Sequence, residues 1–122
     1  MVAFNFQFQF AADVANRIKK QTIRQTRRGK VGDHVQLYTG QRTPNCIKLV
    51  EEDPVLVCVD YIAIRPDYLT VGDVNKHPRD RDEFARLDGF KDYEDMRMWF
   101  EQRYGSPTFV GYLHRWDWED GK

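Results

Sequence analysis

A chain of 122 residues with 41% apolar side chains, three Trp, six Tyr and eight Phe has enough material for one core, so residues 1–122 are read as a single domain. That composition excludes wholesale disorder, and no apolar run approaches the roughly 18 residues that a membrane span needs. Met1-Val2-Ala3-Phe4 carries no basic start before an apolar stretch, so no secretory signal is expected. Cys46 and Cys58 are too few for a disulfide framework, lack metal-ligand spacing and read as buried thiols; the default is a reduced, cytoplasmic protein.

The opening is periodic. Phe4, Phe6, Phe8 and Phe10 alternate with Asn5, Gln7 and Gln9, which predicts a strand with one buried face. Residues 11–19 change period, with Ala11 and Ala15, and Val14 and Ile18, four apart, so a two-turn helix is predicted there. Residues 20–24 read as extended. Strands are then predicted over 34–38, 46–50 and 55–64, the last rich in Val and Ile. Residues 75–82 are too polar for core and read as an exposed loop, with a short helix over 83–87. Asp92 is a predicted N-cap for a helix over 93–104, which Gly105 and Pro107 end. Residues 108–116 form a final strand, and residues 117–122 are expected to fray. This order argues for an α+β fold around a small, strongly curved sheet, and closing that sheet into a barrel would remove its exposed edges.

Nineteen basic and nineteen acidic residues cancel overall but not locally. No carboxylate lies between Asp13 and Asp33, while Arg17, Lys19, Lys20, Arg24, Arg27, Arg28 and Lys30 do. The rest of the chain holds twelve basic residues against nineteen acidic. Such a patch suits an anionic partner, most often phosphate. Within it, Lys19-Lys20-Gln21-Thr22-Ile23-Arg24 sets cations beside a hydroxyl, a suitable site for an anion or a carbonyl oxygen.

The same stretch resembles the signature of the ASCH domain, whose fold is of the PUA (pseudouridine synthase and archaeosine transglycosylase) kind. The family pattern is a glycine, one residue, a lysine, four residues and an arginine, between a short helix and a strand. Lys19 and Arg24 match it with Thr22 between them, while Arg17 stands at the glycine. Val31-Gly32-Asp33-His34-Val35, Leu37-Tyr38-Thr39-Gly40-Gln41-Arg42, Asp88-Gly89-Phe90, and Met96, Phe100, Tyr104-Gly105 and Phe109 resemble later family segments, so that the likeness spans residues 4–116. It implies a small PUA-like β-barrel of five to six strands with two or three flanking helices. It also implies a cleft for RNA or a nucleoside or nucleotide ligand.

Some small family members remove an acyl group from the exocyclic nitrogen of acetylated cytidine. Carried across, that implies a catalytic set of Lys19, Thr22 and Asp88, with Glu83 as an alternative acid. Thr22 would supply the nucleophilic oxygen, Lys19 would take its proton if its pKa were lowered, and Asp88 would relay a proton or hold the base amine. Lys20, Arg24, Arg27, Arg28 and Arg42 are expected to contact ligand or phosphate, and Tyr38, beside a polar loop, to stack on a base. Tyr112 and Trp116 are large enough to stack as well; Trp99 reads as core. No metal site or cofactor is expected, since His34, His77 and His114 are scattered and no phosphate-cradling glycine loop appears. The readings are a nucleic-acid or nucleoside binding module, an amidohydrolase and, from a third class, a protein-interaction module.

Overall fold

In the computed structural model, which describes residues 2–119, the opening run of aromatics is split between two elements. β1 (Val2–Phe6) buries Phe4 and Phe6, and α1 (Phe8–Ala15) begins two residues later. The predicted strand is therefore only half right. On a helix, Phe10, Ala11 and Val14 form one buried stripe, while Phe8 lies on the far side and is 88% exposed.

The other elements follow as β2 (Gln21–Arg24), β3 (Val35–Thr39), β4 (Ile47–Lys48), β5 (Val55–Ile64), β6 (Leu69–Val71), β7 (Val74–Asn75), α2 (Pro78–Leu87), α3 (Tyr93–Tyr104) and β8 (Phe109–Asp117). The α+β class holds, with three helices and eight strands among the described residues. Instead of one barrel of five or six strands, the ladders give two sheets, β1-β3-β4 and β2-β8-β5-β6-β7, neither closed on itself.

The sheets meet at two seams of different kinds. At one, the backbone continues between them: His34 bridges Val55, the Val35 N–H donates to the Pro54 carbonyl at 2.9 Å, and the Leu56 N–H donates to the Asp33 carbonyl at 2.9 Å. At the other, side chains replace the ladder. The Arg24 guanidinium donates to the Asn5 carbonyl at 2.9 Å and the Arg28 guanidinium to the Ala3 carbonyl at 3.0 Å, along the edge of β1 that has no strand neighbour. Both guanidinium groups lie over the Phe4 ring, at 5.1 and 5.6 Å.

Several boundaries differ from the sequence reading. The strand expected over 46–50 shrinks to Ile47–Lys48, and Cys46 is exposed, not buried; Cys58 is partly exposed. The stretch over 75–82 is not all loop. Pro78 occupies the first helical turn of α2, and the His77 ring accepts from the Arg79 N–H, so the helix starts five residues before the expected one. Its exposed polar face hid a stripe carried by Phe84 and Ala85. The tail departs too. Asp117 ends β8, and Trp118 is buried with its indole N–H donating to the Glu52 carbonyl at 2.7 Å. Residues 120–122 of the expected frayed end lie outside the described residues. By contrast, α3 keeps its expected bounds: the Asp92 carboxylate accepts from the Asp95 N–H at 2.8 Å, and Gly105 closes the helix at φ 75°.

The turn that carries the chain from α1 towards β2 has an unusual centre. Arg17 sits at φ 60°, the left-handed region that glycine tolerates and a Cβ does not. Its guanidinium lies 3.8 Å from the Trp118 ring centroid, which offsets part of the strain. Arg17→Gly and Arg17→Ala both lose that contact, but only alanine keeps the Cβ. Urea unfolding is expected to find the glycine variant more stable than the alanine variant by about 1 kcal/mol; equal stabilities would show that the turn is unstrained.

Candidate functional site

Lys19 is the pivot. Leaving α1 through the Arg17 turn, it enters the core between α1 and the end of α2 and is only 3% exposed. Its ammonium sits 3.2 Å from the Asp88 carboxylate, itself 3% exposed, and also donates to the Asp88 carbonyl. Asp88 is the C-cap of α2. Beyond it the Gly89 N–H donates to the Arg86 carbonyl at 3.0 Å and the Phe90 N–H to the Ala85 carbonyl at 3.0 Å, the pair of bonds of a Schellman turn. Gly89 takes φ 97°, and a Cβ there would come within 2.9 Å of Phe10, so only glycine closes this helix against α1. The amine thus meets both a carboxylate and the negative end of a helix dipole.

Gln21 completes the cluster. Its amide N–H donates to the same Asp88 oxygen at 3.1 Å, and its carbonyl accepts from Arg115 Nε at 3.2 Å, which fixes the orientation of the amide. Across the cavity Arg24 Nε donates to the Thr22 hydroxyl at 3.0 Å. Since Thr22 Oγ1 accepts there, its own proton remains available to another group. No hydrogen bond joins Lys19 to Thr22 among the described residues.

Lys19, Thr22, Arg24 and Asp88 all face one cavity of about 80 Å³, room for several waters or a small planar group. Aromatic side chains of Phe10, Phe90, Trp99, Phe100 and Tyr104 form much of its wall, and Arg103 stands on its lining with Asn5. Burial dominates the electrostatics. It pushes the Lys19 amine below the usual lysine range, with Asp88 opposing, and pushes the Asp88 carboxyl above the usual carboxylate range, with Lys19 opposing. Arg24 is pushed down to about 10, first by burial and then by the Arg28 charge.

The structure therefore brings four of the sequence-derived residues together: Lys19, Thr22, Arg24 and Asp88. The others do not line this cavity. The Lys20 amine turns to Asp117 at 3.5 Å, Arg27 donates to the Gly29 carbonyl, and Arg28 braces β1 beside Arg24. Tyr38 donates to Gln36 at 3.2 Å and does not face the aromatic wall. Arg42 is exposed in the loop after β3, at φ 66°. That loop is still tied to the site, since the Gln41 N–H donates to the Asn5 side chain at 2.9 Å. Glu83, the alternative acid, lies exposed on α2 and does not line this cavity. Trp116 is core against Phe4 and Phe6, while Tyr112 pairs edge-on with Tyr61.

Gln21, Trp99, Tyr104 and Arg103 were missed. For Gln21 the available signal was an amide inside the Lys19–Arg24 motif; for Trp99 and Arg103 it was their spacing of four on α3. Among the described residues no group of three or more His, Cys, Asp or Glu is placed to hold a metal, and no helix is long and apolar enough to cross a membrane. No family model matches the chain, and no curated protein or solved structure matches it significantly.

His114 anchors the basic loop beside the site. It is fully buried, and its Nε2 accepts the Arg28 N–H at 3.0 Å, which leaves Nδ1 to carry the ring proton. Burial pushes its pKa down to about 4 from an ordinary 6.5. Well above pH 6.5 the folded and unfolded states both hold it neutral. As pH falls towards 4 only the unfolded state gains a proton, so stability is lost across that window. Denaturant unfolding at pH 7 and pH 5 is expected to show about 2 kcal/mol more loss in the parent than in His114→Gln; parallel losses would mean that the imidazole titrates normally.

Proposed function

We propose that this chain binds a nucleoside, free or within RNA, in the cavity between β2, α1 and the end of α2, on a fold of the PUA-like kind. One observation carries the reading: an ammonium–carboxylate pair, a hydroxyl and a guanidinium share a small hollow with an aromatic wall. A base needs a π surface and matched edge groups. Here Trp99 and Tyr104 offer the surface, Asp88 accepts from an exocyclic amine, and Lys19, Thr22 and Arg24 donate to ring or carbonyl acceptors. Cytosine presents that donor-then-acceptor edge. An RNA strand leaving the hollow would meet Arg24 and Arg28 on the β1 seam. Two sheets joined by backbone at one seam and by arginines at the other suit a small curved sheet of the PUA kind.

Calorimetric titration with cytidine tests this. Asp88→Asn is expected to weaken binding by about tenfold or more, because a donor replaces half of the acceptor. Lys20→Ala, facing Asp117, is expected to leave the affinity unchanged. If cytidine, uridine, adenosine and guanosine all fail to bind the parent, the reading falls.

A second reading, hydrolysis of an acylated exocyclic amine, rests on a specific arrangement. Arg24 holds the Thr22 oxygen while leaving its proton free, and burial weakens the hold of the Lys19 amine on its own proton. A neutral Lys19 could take the Thr22 proton as the oxygen attacks the acyl carbon. Arg24 would face the oxyanion, the departing amine would regain the proton, and water would then release the acyl group from Thr22. Chromatographic assay of N4-acetylcytidine is expected to show release of cytidine that falls at least about 100-fold in Thr22→Ala; undiminished release in that variant would remove Thr22 as nucleophile.

A further inference from the structure

The cavity carries more positive charge than a neutral ligand needs. Lys19, Arg24 and Arg103 line it against a single carboxylate, Asp88. The surplus does not depend on where the buried proton sits. If Lys19 and Asp88 are both charged they cancel, and if the proton passes to Asp88 both are neutral. Arg24 and Arg103 remain in either case.

These two arginines differ in how they are held. Arg24 is fixed, with Nε on Thr22 and one terminal nitrogen on the Asn5 carbonyl. Arg103 is not. It makes no hydrogen bond and no ion pair among the described residues, and its guanidinium rests over the rings of Trp99 at 5.4 Å and Tyr104 at 5.8 Å. The helical neighbours three and four positions before it are Phe100 and Trp99, and the helix ends one residue after it at Tyr104, so no acid of its own helix lies within that reach. The acids of α3 are engaged elsewhere: Glu94 and Glu101 both pair with Arg97, at 2.5 and 3.0 Å, and the Asp95 carboxylate accepts from the Lys91 N–H at 3.0 Å. A stacked, exposed guanidinium at the mouth with its donors free is poised for a planar or tetrahedral oxyanion. Its charge also contributes to the lowered pKa of Arg24, after burial and Arg28.

We propose that the ligand of this cavity carries a terminal phosphate, held between the guanidinium groups of Arg24 and Arg103. A phosphate monoester brings a charge of about −1.5 to −2 at neutral pH, which matches the two uncompensated cations. A phosphodiester inside a strand brings one negative charge and leaves one arginine unmatched. The inference rests on the nucleoside reading for the base and on the arginine pair for the anion. Its ligand class is thus a nucleoside monophosphate, or an RNA end that bears one.

Calorimetry on the full chain separates these parts. The probes are the four ribonucleosides, their 5′- and 3′-monophosphates, inorganic phosphate, and a short oligoribonucleotide with and without a terminal phosphate. A monophosphate is expected to bind at least about tenfold tighter than its nucleoside at low salt, with the advantage shrinking as salt rises. Arg103→Gln is expected to close that gap to within about twofold, and Arg103→Lys to restore only part of it. Arg86→Gln, exposed on α2 away from the cavity, controls for lost net charge. Equal affinity for nucleoside and nucleotide, with no gain from the terminal phosphate on the oligoribonucleotide either, overturns the phosphate inference while the nucleoside reading stands. Binding of inorganic phosphate that depends on Arg103, with no binding of any nucleoside, supports the anion clamp and overturns the nucleoside reading. A gap that survives Arg103→Gln, or no binding of nucleotide or phosphate at all, overturns the proposal. A terminal phosphate that helps the oligoribonucleotide but not the mononucleotides assigns the site to RNA ends.

Discussion

The buried pair of Lys19 and Asp88 is the contact on which the site depends. Taking two such charges out of water costs several kcal/mol for each ion even after relaxation, and a well-packed apolar pair would serve stability as well or better. The offset here is unusually complete. The ammonium has the carboxylate, the Asp88 carbonyl at the end of α2 and the faces of Phe10 and Phe6, while the carboxylate also has Gln21. These contacts tie two segments 69 residues apart in the chain. A stabilising role alone does not call for ions in that position. A lowered amine, a raised carboxyl and an adjoining cavity are the combination that chemistry or recognition uses.

The same economy governs the seam. Two sheets that join by backbone at one corner leave β1 with a free edge at the other, where carbonyls would face water or a competing strand. Arg24 and Arg28 cap those carbonyls. A strand in their place would have filled the gap with backbone and left no room for a hollow. Guanidinium groups close the edge while keeping charged donors beside it, so one residue, Arg24, both finishes the sheet and lines the site.

What the sequence made legible follows from which physical signals are local. The Lys19–Arg24 motif, Asp88 before Gly89, β5 and α3 were readable because spacing, a glycine and a capping aspartate act over a few residues. The aromatic alternation was ambiguous because Phe10 serves a helix as well as a strand once Val14 follows four residues on. Gln21 escaped because strand parity assigns it to the face opposite Thr22, yet β2 is covered on both sides and buries Gln21, Thr22 and Ile23 alike. Trp99 was assigned to the core because a helical stripe reports inwardness and cannot tell a packed interior from a cavity wall. Tyr38 looked like a stacking platform for its neighbourhood in sequence; the paths of β3 and its loop turned its hydroxyl to Gln36 instead.

A chain with no net charge can still present a strongly positive hollow, because the fold decides which charges are spent on one another. Asp117 takes Lys20, Glu94 and Glu101 share Arg97, and Asp53 takes Lys48. Each pairing spends an acid on a cation other than Arg24 or Arg103. Arg24 and Arg103 are left facing a half-enclosed, largely aromatic space, where screening by salt is weaker than on an open surface and each charge acts over a longer range. The field in the cavity is therefore a property of the ion-pair pattern and of burial. The equal totals of acids and bases say nothing against it.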